Sequence, residues 1–220
     1  MSSNSPTMTT YPISTTAIVS DVPKDGAPQW RKEKVQLREP LEDEVLVRIV
    51  ASGICHTDIV LSAVPEETPG FSPYPKVVGH EGSGIVERVG SGITHVKAGD
   101  KVLLSFDYCG QDECRACVDE TPGYCVEFHA KNLLSVPDVY QRENNKSVSG
   151  LFFGQSSFSK LALVKGTSTL NVSELVKDED ELKLFSPMGC GYQTGAAAVA
   201  SLADIGEHDA VAVGSPAAPS

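Results

Sequence analysis

The chain has 220 residues, 40% of them hydrophobic and 21% charged, with a formal net charge of −11. That length allows one large domain, or one domain with part of a second, and the composition is ordinary for a globular protein. The acidic balance leaves no electrostatic footprint for nucleic acid or anionic membranes, and no apolar run approaches the roughly 20 residues needed to span a bilayer.

Residues 1–10, MSSNSPTMTT, are polar and lack a basic end leading into an apolar stretch. They read as a disordered leader and not as a secretory signal. A chain that stays in the cytosol keeps its thiols reduced, so its six cysteines point to metal and not to disulfides. The β-branched run Ile13–Ser20 predicts a first strand. Glu44–Val50 alternates, with Val45, Val47 and Ile49 on one face, which predicts a second. Gly53 breaks that strand, and Cys55-His56-Thr57-Asp58 starts a short helix. Pro65, Pro69, Pro73 and Pro75 make 63–76 a loop.

From Val77 the pattern is strand, turn, strand, with Ile85 and Val86 in a strand and Gly99-Asp100 turning into Lys101–Ser105. Many short strands with glycine corners predict a mainly β fold with some α, built on a partly open β-barrel. A cysteine-rich lobe over 107–127 interrupts it, and Phe152–Val164 returns to strand-like composition. Pro187–Leu202 carries an alanine-rich run of high helix propensity. Asp209–Val213 reads as a short buried strand, followed by Gly214 and a Ser/Pro/Ala tail. The predicted organisation is a leader over 1–10, a catalytic domain over 11–186, and a connecting helix with the start of a second domain over 187–220.

The cysteines fall into two groups. Cys109, Cys114, Cys117 and Cys125 lie together in CGQDECRACVDETPGYC, a spacing suited to a closed four-thiolate zinc site. Gly110 and Gly123 permit the tight turns such a site needs. The C-x-x-C within it also reads as a redox pair, although that motif normally opens a helix in a βαβ setting and the flanks here are loop-like. Cys55 in GICHTD, His80 in GHEG and Cys190 in PMGCGYQTG suit an open zinc site with a coordination position left for substrate. Glu81 is an alternative oxygen ligand, Asp58 the acceptor that would fix the His80 tautomer, and Thr57 a hydroxyl able to carry a proton. Taken singly, Cys55 and Cys190 are more often small buried apolar residues than ligands, and His80 more often a hydrogen-bonded core imidazole; it is their joint sequence context that favours the metal reading.

GICHTD, GHEGSGIVERVG, the cysteine lobe and PMGCGYQTG together resemble the zinc-dependent medium-chain alcohol dehydrogenases. PYPKVVGHEGSGIVERVG, FFGQSSFSKLALV and GCGYQTGAAAV look most like the aryl- and benzyl-alcohol branch. The resemblance runs from Ile13 to Val213 and implies a chaperonin-like (GroES-like) β-barrel catalytic domain followed by a Rossmann domain that binds NAD(P). It implies that Cys55, His80 and Cys190, with Glu81 nearby, hold a catalytic zinc, and that Cys109, Cys114, Cys117 and Cys125 hold a structural one. Thr57 matches the family's proton-relay hydroxyl, His56 a basic residue near the cofactor pyrophosphate, and Thr194 a position beside the nicotinamide.

The chain departs from the family pattern in three places. Four residues separate Cys109 from Cys114, where the family generally has two. Val60 stands where many relatives carry a histidine that ends the proton relay. After Ala210–Val213 the family's G-x-G-x-x-G is expected, and only Gly214 is present. The resemblance therefore implies an oxidoreductase acting on a primary, aromatic alcohol or its aldehyde, in a chain that ends at the first Rossmann strand. The alternatives are a non-catalytic zinc-binding module and a degenerate, truncated dehydrogenase, either of them able to associate with a longer dehydrogenase subunit.

Overall fold

The structure, a computed structural model, describes residues 10–203 and 205–214. Positions 1–9 of the expected leader and the 215–220 tail lie outside the described residues. Ten strands form two sheets: β1 (Ile13–Lys24), β2 (Ala27–Leu37), β3 (Glu44–Ser52), β4 (Lys76–Val77), β5 (Gly82–Val89), β6 (Lys101–Leu104), β7 (Val136–Arg142), β8 (Ser147–Gly150), β9 (Leu161–Lys165) and β10 (Thr169–Asn171). One sheet closes on itself as a barrel in the order β1-β2-β7-β8-β4, and the other runs β10-β6-β5-β3-β9. The expected barrel is thus present, with closure confined to one sheet. The sheets meet where Ile18 donates its N–H to Phe158 O (2.8 Å) and Lys160 to Thr16 O (2.9 Å).

Alternation explains the interior. Val45 and Val47 on β3 face a cluster with Val86, Val102 and Val164, while Leu46 joins the barrel core of Val19, Val35, Tyr140 and Phe152. Burying such side chains contributes about 25 cal/mol per Å² of apolar surface removed from water. At the mouth of the barrel, Arg38 grips the fully buried Glu44 through two bonds of 2.6 and 2.9 Å, so that carboxylate enters the interior paired.

The helices are short. They are α1 (His56–Leu61), α2 (Arg115–Val118), α3 (Phe128–Leu133), α4 (Glu179–Leu184) and α5 (Gly191–Ala197). Three expectations are corrected. Within Phe152–Val164 only Leu161–Lys165 is strand, and Phe152–Gly154 is a 3₁₀ turn. Leu151 (φ 58°), Phe153 (φ 51°) and Ser156 (φ 54°) all take left-handed backbone, which cannot continue a ladder. In the Pro187–Leu202 segment, a 3₁₀ turn over Ser186–Gly189 comes first, α5 starts at Gly191, and Ala198–Leu202 widens into a π turn. Asp209–Val213 is exposed coil and not a buried strand: Val213 is 91% exposed. Among the described residues no strand lies beside it, so its backbone has no ladder to join.

Candidate metal centres and the active site

The register of one strand pair brings the first two ligands together. Ser52, the last residue of β3, lies opposite Gly82, the first of β5, and Gly53 extends the ladder by donating to Glu81 O at 3.0 Å. Cys55, just past the end of one strand, therefore sits beside His80, just before the start of the other. Gly79 makes the corner with φ +97°, where a Cβ would meet the Phe158 backbone nitrogen at 2.6 Å. Cys190 follows the 3₁₀ turn Ser186–Gly189, which packs against the end of the neighbouring strand β6. Gly189 lies flat against the Leu104 carbonyl at the end of β6, closer than any Cβ would allow, and Ser105 Oγ donates to Gly189 O at 3.2 Å.

Side-chain atoms of Cys55, His80, Glu81 and Cys190 all lie within 4.8 Å of one another. Asp58 is fully buried and serves three donors. Its Oδ1 accepts from Gly79 N (3.0 Å) and contacts His80 Nδ1 (2.9 Å), and its Oδ2 accepts the Cys55 N–H (3.0 Å). With Nδ1 engaged, Nε2 is the nitrogen left to face the sulfurs. Burial works against a charged imidazole, but the bond and charge of Asp58, followed by Cys55, carry the His80 pKa above its ordinary value. Burial also opposes a Cys55 thiolate, yet the Thr57 N–H and hydroxyl and the His80 ring bring its pKa below the usual thiol value. Cys190 goes the other way: burial, then the charge of Cys55, pushes it up to about 12.

The second group is as compact. Cys109, Cys114, Cys117 and Cys125 also place their sulfurs within 4.8 Å of one another. The two-residue lengthening before Cys114 is absorbed by a turn in which Cys114 N donates to Gln111 O (3.0 Å), and Cys109 Sγ still reaches to 3.6 Å from Cys117 Sγ. Backbone amides point at the sulfurs: the N–H groups of Cys109 and Glu127 each reach Cys125 Sγ at 3.4 Å. The N–H of Val126, then that of Cys117, draws Cys114 down to about 6.

Both donor sets fit zinc. A tetrahedral ion with metal–sulfur bonds of about 2.3 Å holds sulfurs about 3.8 Å apart. The sulfur pairs here are 3.6 Å (Cys109–Cys117), 4.0 Å (Cys114–Cys125) and 4.0 Å (Cys55–Cys190), and all six cysteines are free of disulfides. Glu81 adds an argument from charge. It is buried, its carboxylate meets the Gly191 N–H at 3.2 Å, and no lysine or arginine of the described residues pairs with it. A buried carboxylate in that state is stabilised by a cation among its neighbours.

The Alcohol dehydrogenase GroES-like domain matches residues 41–174. The chain belongs to the zinc-dependent medium-chain alcohol dehydrogenase family. Among curated relatives, this chain is 42% identical over 157 residues to a probable alcohol dehydrogenase of a Pseudomonas species, covering 70% of this chain and 47% of the relative. Among solved structures, it is similar to an alcohol dehydrogenase zinc-binding domain protein from Burkholderia ambifaria (36% identity, TM-score 0.75, 86% of this chain and 49% of that one). It is also similar to benzyl alcohol dehydrogenase from Acinetobacter calcoaceticus (37% identity, TM-score 0.69, 86% and 48%). The chain thus spans about half the length of the relatives it matches.

The remaining expected residues divide. Thr57 Oγ1 lies 3.6 Å from Cys55 Sγ, at the edge of the open cluster. His56 is exposed at the first position of α1, and Thr194 is exposed on α5 with its N–H bonded to Cys190 O (2.9 Å). Two features escaped the sequence. Phe153 stacks on His80 (centroids 4.6 Å apart, planes at 28°) with Phe152 edge-on at 5.9 Å, and the buried Gln155 bonds the His80 carbonyl. The three left-handed residues of LFFGQS create both placements, and non-glycine left-handed backbone leaves no signal in composition.

Proposed function

We propose that this chain is the metal-holding half of an alcohol dehydrogenase that interconverts a primary, aromatic alcohol and its aldehyde with NAD(P). The observation that supports it most is the convergence of Cys55, His80, Glu81 and Cys190 from separate segments, with the Thr57 hydroxyl at their edge. Cys55, His80 and Cys190 would hold a catalytic zinc, and the four lobe cysteines a structural one. A zinc ion with an open position acts as a Lewis acid toward a substrate oxygen. Asp58 holds His80 by Nδ1 so that its other nitrogen stays on the site. Thr57 accepts the alcohol proton and passes its own to water or a cofactor ribose, since Val60 offers no group to continue the relay. NAD(P)⁺, when bound, would supply the acceptor for the hydride that the carbinol carbon must lose, so that aldehyde, NAD(P)H and a proton balance the alcohol. His56 and Thr194 would face the cofactor. Phe153, flat against His80, supports an aromatic substrate, as does the likeness to a benzyl alcohol dehydrogenase. A cytosolic setting suits six reduced thiols.

The test is NAD(P)H formation from benzyl alcohol by the zinc-loaded chain, run alone and with a longer dehydrogenase subunit added. Activity in either arm that is lost in Thr57→Val supports the reading. Silence in both arms, with zinc bound, favours the non-catalytic module. That second reading draws on Leu202 and Val213, which are 86% and 91% exposed and leave apolar surface for a longer relative to cover. Co-purification with such a relative distinguishes the two.

A further inference from the structure

Among the described residues two carboxamides, those of Gln155 and Asn132, are fully buried, and each bonds three backbone groups. Gln155 Oε1 accepts the Gly82 N–H (3.1 Å), while its Nε2 donates to His80 O (2.9 Å) and Ser105 O (3.1 Å). Asn132 Oδ1 accepts the Asp107 N–H (2.8 Å), while its Nδ2 donates to Asp107 O (2.9 Å) and Phe128 O (2.7 Å). Each amide has one orientation only, because reversing it would set donor against donor and acceptor against acceptor. Neither side chain is exposed to any degree, and neither titrates or offers a ligand atom to the clusters.

Their targets are what separates them from ordinary core amides. Gln155 binds the carbonyl of His80 itself, and Ser105, its other target, holds Gly189 immediately before Cys190. The backbones that carry two ligands of the open cluster are therefore tied through Gln155 and, beyond it, the Ser105 hydroxyl. Asn132 ties Asp107, two residues before Cys109, to Phe128, whose N–H bonds Cys125 O at 2.9 Å. It closes the neck of the lobe, where the chain enters before the first lobe cysteine and leaves after the last.

We infer that Gln155 and Asn132 are positioning residues, one for each metal centre: Gln155 holds the open Cys55/His80/Cys190 set in register, and Asn132 the closed lobe set. The inference rests on the two-centre reading above. Residues that orient ligands without touching the metal typically govern about 10–100-fold in metal affinity.

The experiment is anaerobic cobalt(II) titration of the full chain, under reducing conditions, with competition by a chelator. The four-sulfur and two-sulfur centres separate by the intensity of their thiolate-to-cobalt charge-transfer bands. Gln155→Leu weakens the two-sulfur centre by about 10–100-fold and spares the four-sulfur one, and Asn132→Leu does the reverse. A role confined to core stability predicts lower unfolding midpoints without that crossed selectivity. Variants that loosen both centres alike, or neither, overturn the inference. A wild-type chain that takes up only one cobalt overturns the two-centre reading instead. Should the leucine variants fail to fold, Gln155→Glu and Asn132→Asp keep the shape and acceptor oxygen, lose the donors, and are held to the same crossed pattern.

Discussion

Asp58 and His80 are joined at 2.9 Å between Oδ1 and Nδ1, with 0% and 3% of their side chains exposed. The same carboxylate receives the N–H groups of Cys55 and Gly79, so one side chain fixes both the turn that carries the first ligand and the ring of the second. Asp58→Ala should cost about 1–3 kcal/mol for the donors it strands. It should also weaken zinc at the open site by about 10–100-fold. Chelator competition on the folded variant reads the second effect, and an unchanged affinity would remove Asp58 from the site.

Gly79→Ala tests the corner between β4 and β5. The backbone there has φ +97°, and an added Cβ would sit 2.5 Å from the Phe158 ring and 2.6 Å from its backbone nitrogen. Left-handed strain and overpacking together should lower stability by about 2 kcal/mol or more. Urea unfolding measures it. A variant as stable as wild type would mean that the corner can open without loss.

Lys76 carries the pH prediction. Its ammonium is buried, with Nζ donating to Leu61 O (2.9 Å) and Ser72 O (3.2 Å) and lying over the Tyr74 ring, and among the described residues no carboxylate pairs with it. Burial lowers its pKa from 10.5 to about 8. Between those values the unfolded chain binds the extra proton, so stability should rise with pH across that window, by on the order of 3 kcal/mol. Lys76→Met should flatten this rise in zinc-loaded protein. The same slope in both proteins would contradict the assignment.

If the four lobe cysteines hold zinc as proposed, the lobe should depend on it. Apart from Cys114, Cys125 and the residues at its neck, it buries little, and Tyr124 and Val126 are exposed. Metal binding at such a site is folding energy. Chelation should therefore loosen the backbone around Arg115, whose side chain is already exposed, so that trypsin cuts there well before the barrel, and limited proteolysis followed by mass spectrometry locates the first cleavage. First cuts in the barrel would show that the lobe holds without metal.

Much of the site was legible because metal ligation imposes residue types at fixed spacings. Cys114-x-x-Cys117 is local, and GICHTD, GHEG and PMGCG each present a ligand at a turn. β3 was visible through its alternation, and β5 through Ile85 and Val86 among glycine corners. What the sequence concealed depends on distant partners. Strand β4 has two residues and pairs in parallel with β8, which no periodicity can announce. The left-handed residues of LFFGQS look like strand by composition. Asp209–Val213 has the composition of a strand without a neighbour to make it one. Gln155 and Asn132 follow no pattern at all, because an amide's role is set by what the fold places around it.

The most direct measurement is the zinc content of the purified chain beside that of Cys190→Ser and Cys125→Ser. The two donor clusters predict two zinc ions in the wild type, with each variant losing the ion of its own centre and retaining the other. A wild-type content of one or less, or the loss of both ions from either single variant, would contradict two independent centres.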